Sequence, residues 1–312
     1  MERAKGGRHI RSAGVATVAE IEAGPGRGAA LGRVPAPFLL IAAAFSVQGG
    51  AALATTLFEE AGALGTVWVR TAFAAVVLAL LARPRRGSRW IAGPLRYAVG
   101  LGIALACVNS LFYLAIDRVP LGVAVTVEFL GPLALAVAGS RRRLDFVWIV
   151  LAGAGVALLG SPTVDVDRLG LLIALAAGVF WAAYILIGKR LGATWPLQRG
   201  LAVSMGIAAV LTAPLGLASG GTALVSPRLL LLGLVVAILA SVVPYVLELA
   251  ALRRLRTSAF GILMSLGPAV AALCGAIFLG QRLGTLELVA IAFVMAASIG
   301  ANRGSSQPAV GG

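Results

Sequence analysis

Charge is scarce in this chain. Asp, Glu, Lys and Arg make up 12% of its 312 residues, where a soluble domain of this size carries about 25%. Histidine is nearly absent: the lone His9 sits in the N-terminal tail. No His/Asp pair can be assembled, so an acid–base or metal-dependent enzyme is not expected, nor is a cofactor. The only cysteines, Cys107 and Cys274, both lie inside apolar stretches. They read as small apolar residues, which excludes a disulfide framework and a metal site. Aromatics are few, at 6%, and no basic stripe is interleaved with them. A nucleic-acid partner is therefore excluded in spite of the formal net charge of +14.

What the chain has instead is apolar length. Hydrophobic residues make up 60%, and mean hydropathy is +0.98. Ten apolar segments can be read, at 37–58, 64–82, 97–116, 120–139, 144–161, 169–188, 199–217, 228–249, 257–279 and 283–301. Each is about long enough to cross a ~30 Å hydrocarbon core as a helix rising ~1.5 Å per residue. The runs do not alternate, so a transmembrane barrel is excluded, and lipid leaves helices as the spanning structure. Residues 1–34 are rich in Gly, Ala and Arg and contain no apolar core of a secretory signal. They read as a disordered cytoplasmic tail, and 303–312 read the same way.

The basic residues fall on one side of this pattern. The N-terminal tail, the loops after segments 2, 4, 6 and 8 (the Arg141–Arg143 run among them) and the C-terminal tail hold 21 of the 26 Lys and Arg. Arg118, Arg168, Arg228 and Arg282 fall on the other side, and Arg70 lies inside segment 2. Lys and Arg in short loops stay cytoplasmic. The expectation is ten spans in a cell (inner) membrane with both termini in the cytosol, the positive charge lying against anionic headgroups of the bilayer.

An internal repeat appears at an offset of 136 residues. Ala115-Ile116-Asp117-Arg118-Val119 is followed by Gly131-Pro132, and Ala251-Leu252-Arg253-Arg254-Leu255 is followed by Gly267-Pro268. Each copy reads as a helix, a short basic turn and a helix broken late by Gly-Pro. Five spans per half is an odd number, so the second half enters the membrane upside down. The predicted fold is all-α and integral to the membrane, with ten transmembrane helices in two inverted five-helix repeats at 35–161 and 168–302. Inverted repeats with a binding site at their midplane interface are a common plan of secondary transporters.

Polar groups at membrane depth mark the candidate site. Glu128 lies near the middle of segment 4, where a carboxylate costs about 2.5 kcal/mol or more. It reads either as a group that handles a proton or a substrate, or as a protonated acid bonded to a neighbouring helix. Pro132 removes the N–H that would bond the Glu128 carbonyl four residues earlier, and Pro268 does the same to Met264. Each break offers a bare carbonyl beside a cavity, a hinge, or a simple packing kink. Glu248, near the inner end of segment 8, reads as an inner-gate or, by slight preference, an interfacial carboxylate. Arg70 reads as the partner of Glu59 or Glu60 in a structural ion pair. Gln48, Asn109, Ser110, Tyr113, Trp181, Tyr184 and Ser265 are further polar or amphipathic side chains at mid-helix depth, although many such groups only tie helices together.

Three stretches then carry a resemblance: RVPLGVAVTVEFLGPLALAV (118–137), SRRRLDFVWIVLAGAGVALL (140–159) and VPYVLELAALRRLRTSAFGILMSLGPAVAALCGAIFLGQ (243–281). They closely resemble the threonine/homoserine exporter branch of the drug/metabolite transporter superfamily, built from two EamA-type repeats, over roughly 35–302. The resemblance implies efflux of small metabolites, often amino acids, from the cytosol, with threonine or homoserine as the expected substrate; Glu128 at membrane depth adds protons as a candidate coupling ion. A drug or other metabolite exporter of the same fold is the alternative. Two positions depart from the branch: Gly267 stands where an acid usually precedes the proline, and Gln281 follows Gly280 where a glutamate is usual.

Overall fold

The computed structural model of the chain describes residues 34–82, 95–138, 144–161, 165–252, 254–255 and 257–304. His9, the Arg141–Arg143 run, the C-terminal tail beyond Gly304 and almost all of the N-terminal tail lie outside them. The elements are α1 (Ala36–Thr55), α2 (Phe58–Leu81), α3 (Leu95–Ile116), α4 (Leu121–Glu128), α5 (Leu130–Ala138), α6 (Leu144–Leu159) and α7 (Arg168–Thr194). There follow α8 (Leu197–Gly220), α9 (Pro227–Ala237), α10 (Val243–Leu252), α11 (Thr257–Met264), α12 (Gly267–Leu279) and α13 (Thr285–Gly304). A 3-10 turn, Gly221–Val225, precedes α9, and a π-helical turn, Ile238–Val242, joins α9 to α10. No strand occurs among the described residues.

Nine helical stretches among the described residues are long and apolar enough to cross a membrane. The fifth expected segment, 144–161, forms the shorter apolar helix α6, whose 16 residues reach ~24 Å at the usual helical rise. Large apolar side chains point outward around the bundle: Phe38, Phe146, Leu172, Val210 and Phe278 are all more than half exposed. In water such a surface would aggregate, whereas in hydrocarbon it is the expected exterior.

Segments 4, 8 and 9 are interrupted rather than continuous. Pro132 has no N–H, so α4 stops at Glu128 and α5 restarts at Leu130, with the Leu133 amide donating to the Phe129 carbonyl at 3.1 Å. The freed Glu128 carbonyl lies against Gly178 of α7, and a Cβ on Gly131 would overlap the Gly178 carbonyl. The first Gly-Pro break is thus a backbone-to-backbone packing contact rather than a carbonyl offered to a cavity. In segment 9, α11 ends at Met264 and Pro268 opens α12. Gly267 faces the ring of Phe129, so the two breaks touch each other. α2 carries one further kink, at Gly62 (φ 68), where only glycine is unstrained.

The two turns matched in sequence also match in hydrogen bonding. Arg118 N and Val119 N both donate to the Ala115 carbonyl at 2.9 Å. At an offset of 136, Arg254 N and Leu255 N donate to the Ala251 carbonyl at 2.9 and 3.0 Å. Helices of the first half pack mainly on those of the second: α2 and α3 on α8, α3 on α7, α6 on α13, α1 on α10 and α12, and α4 on α12 and α7. Among the described residues two ion pairs also reach across, Glu60 with Arg228 of the second half and Arg118 with Asp167 (3.1 Å), just before α7. Asp167 caps α7 by accepting from Leu169 N at 2.8 Å. Its hydrogen bond from Arg118 holds the carboxyl below the ordinary carboxylate range.

Gly131→Ala is expected to lower the thermal midpoint of the purified protein. The cost of forcing a methyl into packed backbone is about 1–3 kcal/mol or more. Gly153→Ala, which meets nothing within 4 Å, is expected to be neutral or mildly stabilising, because alanine is the better helix former. Equal melting shifts for the two variants would contradict the packing assigned to the first break.

Candidate functional site

Two of the buried cores flank a cavity. One gathers residues such as Leu57, Tyr113, Leu121, Val127 and Cys274; the other gathers Leu78, Leu101, Leu191, Leu201 and Met205. The cavity between them has a volume of about 270 Å³. Drug-sized ligands occupy pockets of about 300–1,000 Å³, so this space suits a smaller molecule.

Most of the polar residues singled out in the sequence meet here. Gln48, Asn109, Tyr113 and Glu128 line the cavity from the first half, and Trp181, Tyr184 and Glu248 from the second. Glu128 is buried, and its carboxyl makes no hydrogen bond to a described residue. Trp181 packs edge-on against Phe129, with ring centroids 5.0 Å apart and planes at 88°. Asn109 is partly committed, its Nδ2 donating to the Leu105 carbonyl at 2.7 Å. Of the helix breaks, Gly267 reaches the cavity wall; Gly131, Pro132 and Pro268 do not. Ser110 is likewise off the wall. Ser265 bonds Ser298 Oγ at 2.6 Å and the Gly261 carbonyl at 2.8 Å, so it ties α11 and α12 to α13.

The residue that sequence reasoning misplaced is Arg70. It does not pair with Glu59 or Glu60; Glu60 pairs with Arg228 instead. Arg70 is 8% exposed and lines the same cavity as Glu128. Its Nη2 donates to the Ala240 carbonyl at 3.3 Å and its Nε to Ser241 Oγ at 3.2 Å. The guanidinium also lies 5.2 Å from the centroid of the Tyr113 ring, within cation–π range.

Pro244 explains this placement. Without an N–H it cannot bond Ala240, four residues earlier, or Leu239, five earlier. The backbone widens into the π turn Ile238–Val242, with Val243 N donating to the Ile238 carbonyl. The two bare carbonyls then find side-chain donors on facing helices. Ser46 Oγ donates to Leu239 at 2.7 Å, and Arg70 takes Ala240. A proline placed four residues after a small residue, opposite an intramembrane arginine, is the signal that could have located this contact. π turns recur at functional sites.

The cavity thus joins one cation and two carboxyl side chains, Glu128 and Glu248, in a mostly apolar space. Arg70 Nη1 makes no hydrogen bond to a described residue. Among the described residues no group of three or more His, Cys, Asp and Glu could hold a metal ion. The arrangement can bind a small molecule that carries both an anionic and a cationic end.

Comparison with known proteins places the chain among transporters. The EamA-like transporter family matches residues 168–303. The threonine/homoserine exporter RhtA of Escherichia coli (strain K12) is 44% identical over 280 residues, covering 86% of this chain and 90% of the relative. The exporter of the same name from Salmonella typhimurium (strain SL1344) is 43% identical over 275 residues, covering 84% and 89%. The transporter YwfM of Bacillus subtilis (strain 168) is 31% identical over 278 residues, covering 85% and 92%. A protein of known crystal structure shares the fold with a TM-score of 0.57 at 18% identity, covering 87% of this chain and 99% of that one.

The Arg70–Ser241 contact can be measured by a double-mutant cycle with Arg70→Met and Ser241→Ala. Hydrogen bonds to charged groups contribute about 1.5–3 kcal/mol, so an unfolding coupling near the lower figure is expected for this 3.2 Å bond. Strictly additive melting shifts would mean that the Ser241 hydroxyl does not help to hold Arg70.

Proposed function

The chain belongs to the EamA-like transporter family, and from that premise we propose that it exports a small zwitterionic amino acid, threonine or homoserine, by alternating access. The observation that carries this reading is that Arg70 and Glu128 both lie on the wall of one small cavity. An amino acid has a carboxylate for the first and an ammonium for the second. Each charged end of the substrate then meets a group of opposite charge in a mostly apolar space. The cavity volume favours this substrate over a bulky drug.

The relatives named above as threonine/homoserine exporters support the substrate class. Their names describe those proteins. What brings the substrate to this chain is the combination of 44% identity with a cavity of suitable charge.

The wider architecture in this proposal is ten spans, α6 among them, in two inverted repeats at 35–161 and 168–302. The matched turn hydrogen bonds at an offset of 136 support it. So does the packing, because exchanging the halves maps the α1–α10 contact onto the α3–α7 contact and leaves the α2–α8 contact in place. The placement of 21 of 26 basic residues on one side supports cytosolic termini and an inner-membrane location. In this scheme Glu128 exchanges the substrate ammonium for a proton, Glu248 lies on the cytosolic approach, and the touching Gly-Pro breaks flex as access alternates.

The test is efflux of radiolabelled threonine from proteoliposomes under an imposed pH gradient. Native protein is expected to drive gradient-dependent efflux. Glu128→Gln and Arg70→Gln are each expected to lower the rate at least tenfold while the melting profile stays cooperative. Undiminished efflux by either variant would contradict its role in binding. Absence of threonine and homoserine transport by native protein would overturn the substrate and favour another metabolite.

A further inference from the structure

We infer that Gln48 and Tyr113 form a hydroxyl-recognition subsite in the cavity, which reads the side-chain alcohol shared by threonine and homoserine. This inference rests on the amino-acid-exporter reading above and extends it from the ends of the substrate to its side chain.

Two atoms carry it. Gln48 Oε1 and the Tyr113 hydroxyl are buried, and neither has a hydrogen-bond partner among the described residues. Buried polar groups are nearly always paired, so two orphans beside one cavity need an explanation. Several other polar side chains at this depth are bonded within the bundle: Asn109 Nδ2 donates to the Leu105 carbonyl, Thr126 to the Gly122 carbonyl, and Ser265 bonds Ser298. Gln48 is 7% exposed and Tyr113 is fully buried, and both line the cavity that holds Arg70 and Glu128.

Their chemistry is complementary to an alcohol. The amide oxygen of Gln48 only accepts, whereas a phenol hydroxyl both donates and accepts. Together they satisfy a group that itself donates one hydrogen bond and accepts another. A second carboxylate would face the Gln48 lone pairs. A methyl in place of the hydroxyl would leave both atoms unpaired, and a site built on such bonds rejects the analogue that lacks them.

Tyr113 is also held in place. Its ring lies under the Arg70 guanidinium at 5.2 Å and against Phe58 and Phe112, with centroids 5.6 and 6.1 Å away. The phenol hydroxyl is therefore fixed relative to the group that takes the substrate carboxylate. Rigid spacing between a carboxylate clamp and a hydroxyl reader is what selection among amino acids of similar size requires.

The experiment compares isosteres. Full-length protein in proteoliposomes takes up radiolabelled threonine by counterflow, with unlabelled threonine or valine as competitor, and homoserine or norvaline as a second pair. Native protein is expected to prefer each hydroxy amino acid over its isostere by at least tenfold. Tyr113→Phe keeps the ring beneath Arg70 and is expected to reduce that preference about tenfold, the worth of one hydrogen bond of ordinary strength. Gln48→Leu, on a different helix, is expected to do the same and guards against a folding defect in one variant. A preference unchanged in both variants, or a native protein indifferent to the hydroxyl, overturns the subsite while leaving an amino-acid exporter in place. A native protein that transports neither threonine nor homoserine overturns the exporter reading, and the subsite with it.

Discussion

A charged guanidinium in the middle of a membrane bundle must be held by something, and here the holder is a helix that a proline has opened. Arg70 sits on α2, deep within an apolar span. Lipid offers it no partner, and the cost of such a charge falls only when backbone carbonyls or counter-charges are near. Pro244 supplies one carbonyl by failing to bond Ala240, and the π turn swings Ser241 into reach as well. The same turn anchors α1 through Ser46, so α1, α2 and the α9–α10 segment meet at one point. Tyr113 of α3 closes the cluster from below the guanidinium. Loss of this arrangement would remove the cation of the cavity and also the junction of helices from both halves.

The rest of the bundle can be understood as packing arranged around that junction. Small residues allow close approach where the helices break, as when Gly131 and Gly178 bring α4, α5 and α7 into backbone contact. In a bilayer such contacts matter more than in water, because lipid chains give no hydrophobic reason for helices to associate. Ionic contacts lie at the ends of helices, where Arg118 meets Asp167 and Arg228 meets Glu60. Gln281, standing where the resembled branch usually has a glutamate, accepts from Leu121 N at 3.0 Å and so caps α4 across the halves. A neutral amide performs that capping, so the substitution leaves the contact intact. The other departure, Gly267, makes room for the Phe129 ring.

Much of this was legible in the sequence. Hydropathy located the nine helical stretches among the described residues that are long and apolar enough to cross a membrane, because a helix that must face lipid has little choice of residues. The same pattern pointed to Glu128, Gln48 and Tyr113, which are buried within the bundle. The breaks at Pro132 and Pro268 were readable from the missing N–H, but the direction each freed carbonyl faces was not, since that depends on Gly178 in a distant helix. Arg70 was misread because sequence proximity suggested Glu59 and Glu60, whereas its acceptors, Ala240 and Ser241, lie 170 and 171 residues away. Ser265 stayed open between a cavity and a helix tie, because a hydroxyl at mid-depth has the same sequence signature whether it faces a cavity or, as here, another serine.

The central claim is that Arg70 and Glu128 take opposite ends of one zwitterion. The most direct measurement is equilibrium binding of threonine, threonine methyl ester and N-acetylthreonine to native protein and to the two neutralised variants, Arg70→Gln and Glu128→Gln. Removing the ligand's carboxylate charge should weaken binding to native protein at least tenfold and have little further effect on Arg70→Gln. Removing its ammonium charge should show the same loss against native protein and little further effect on Glu128→Gln. Penalties of equal size in native protein and in the matching variant would contradict the claim, because neither residue would then touch the end assigned to it.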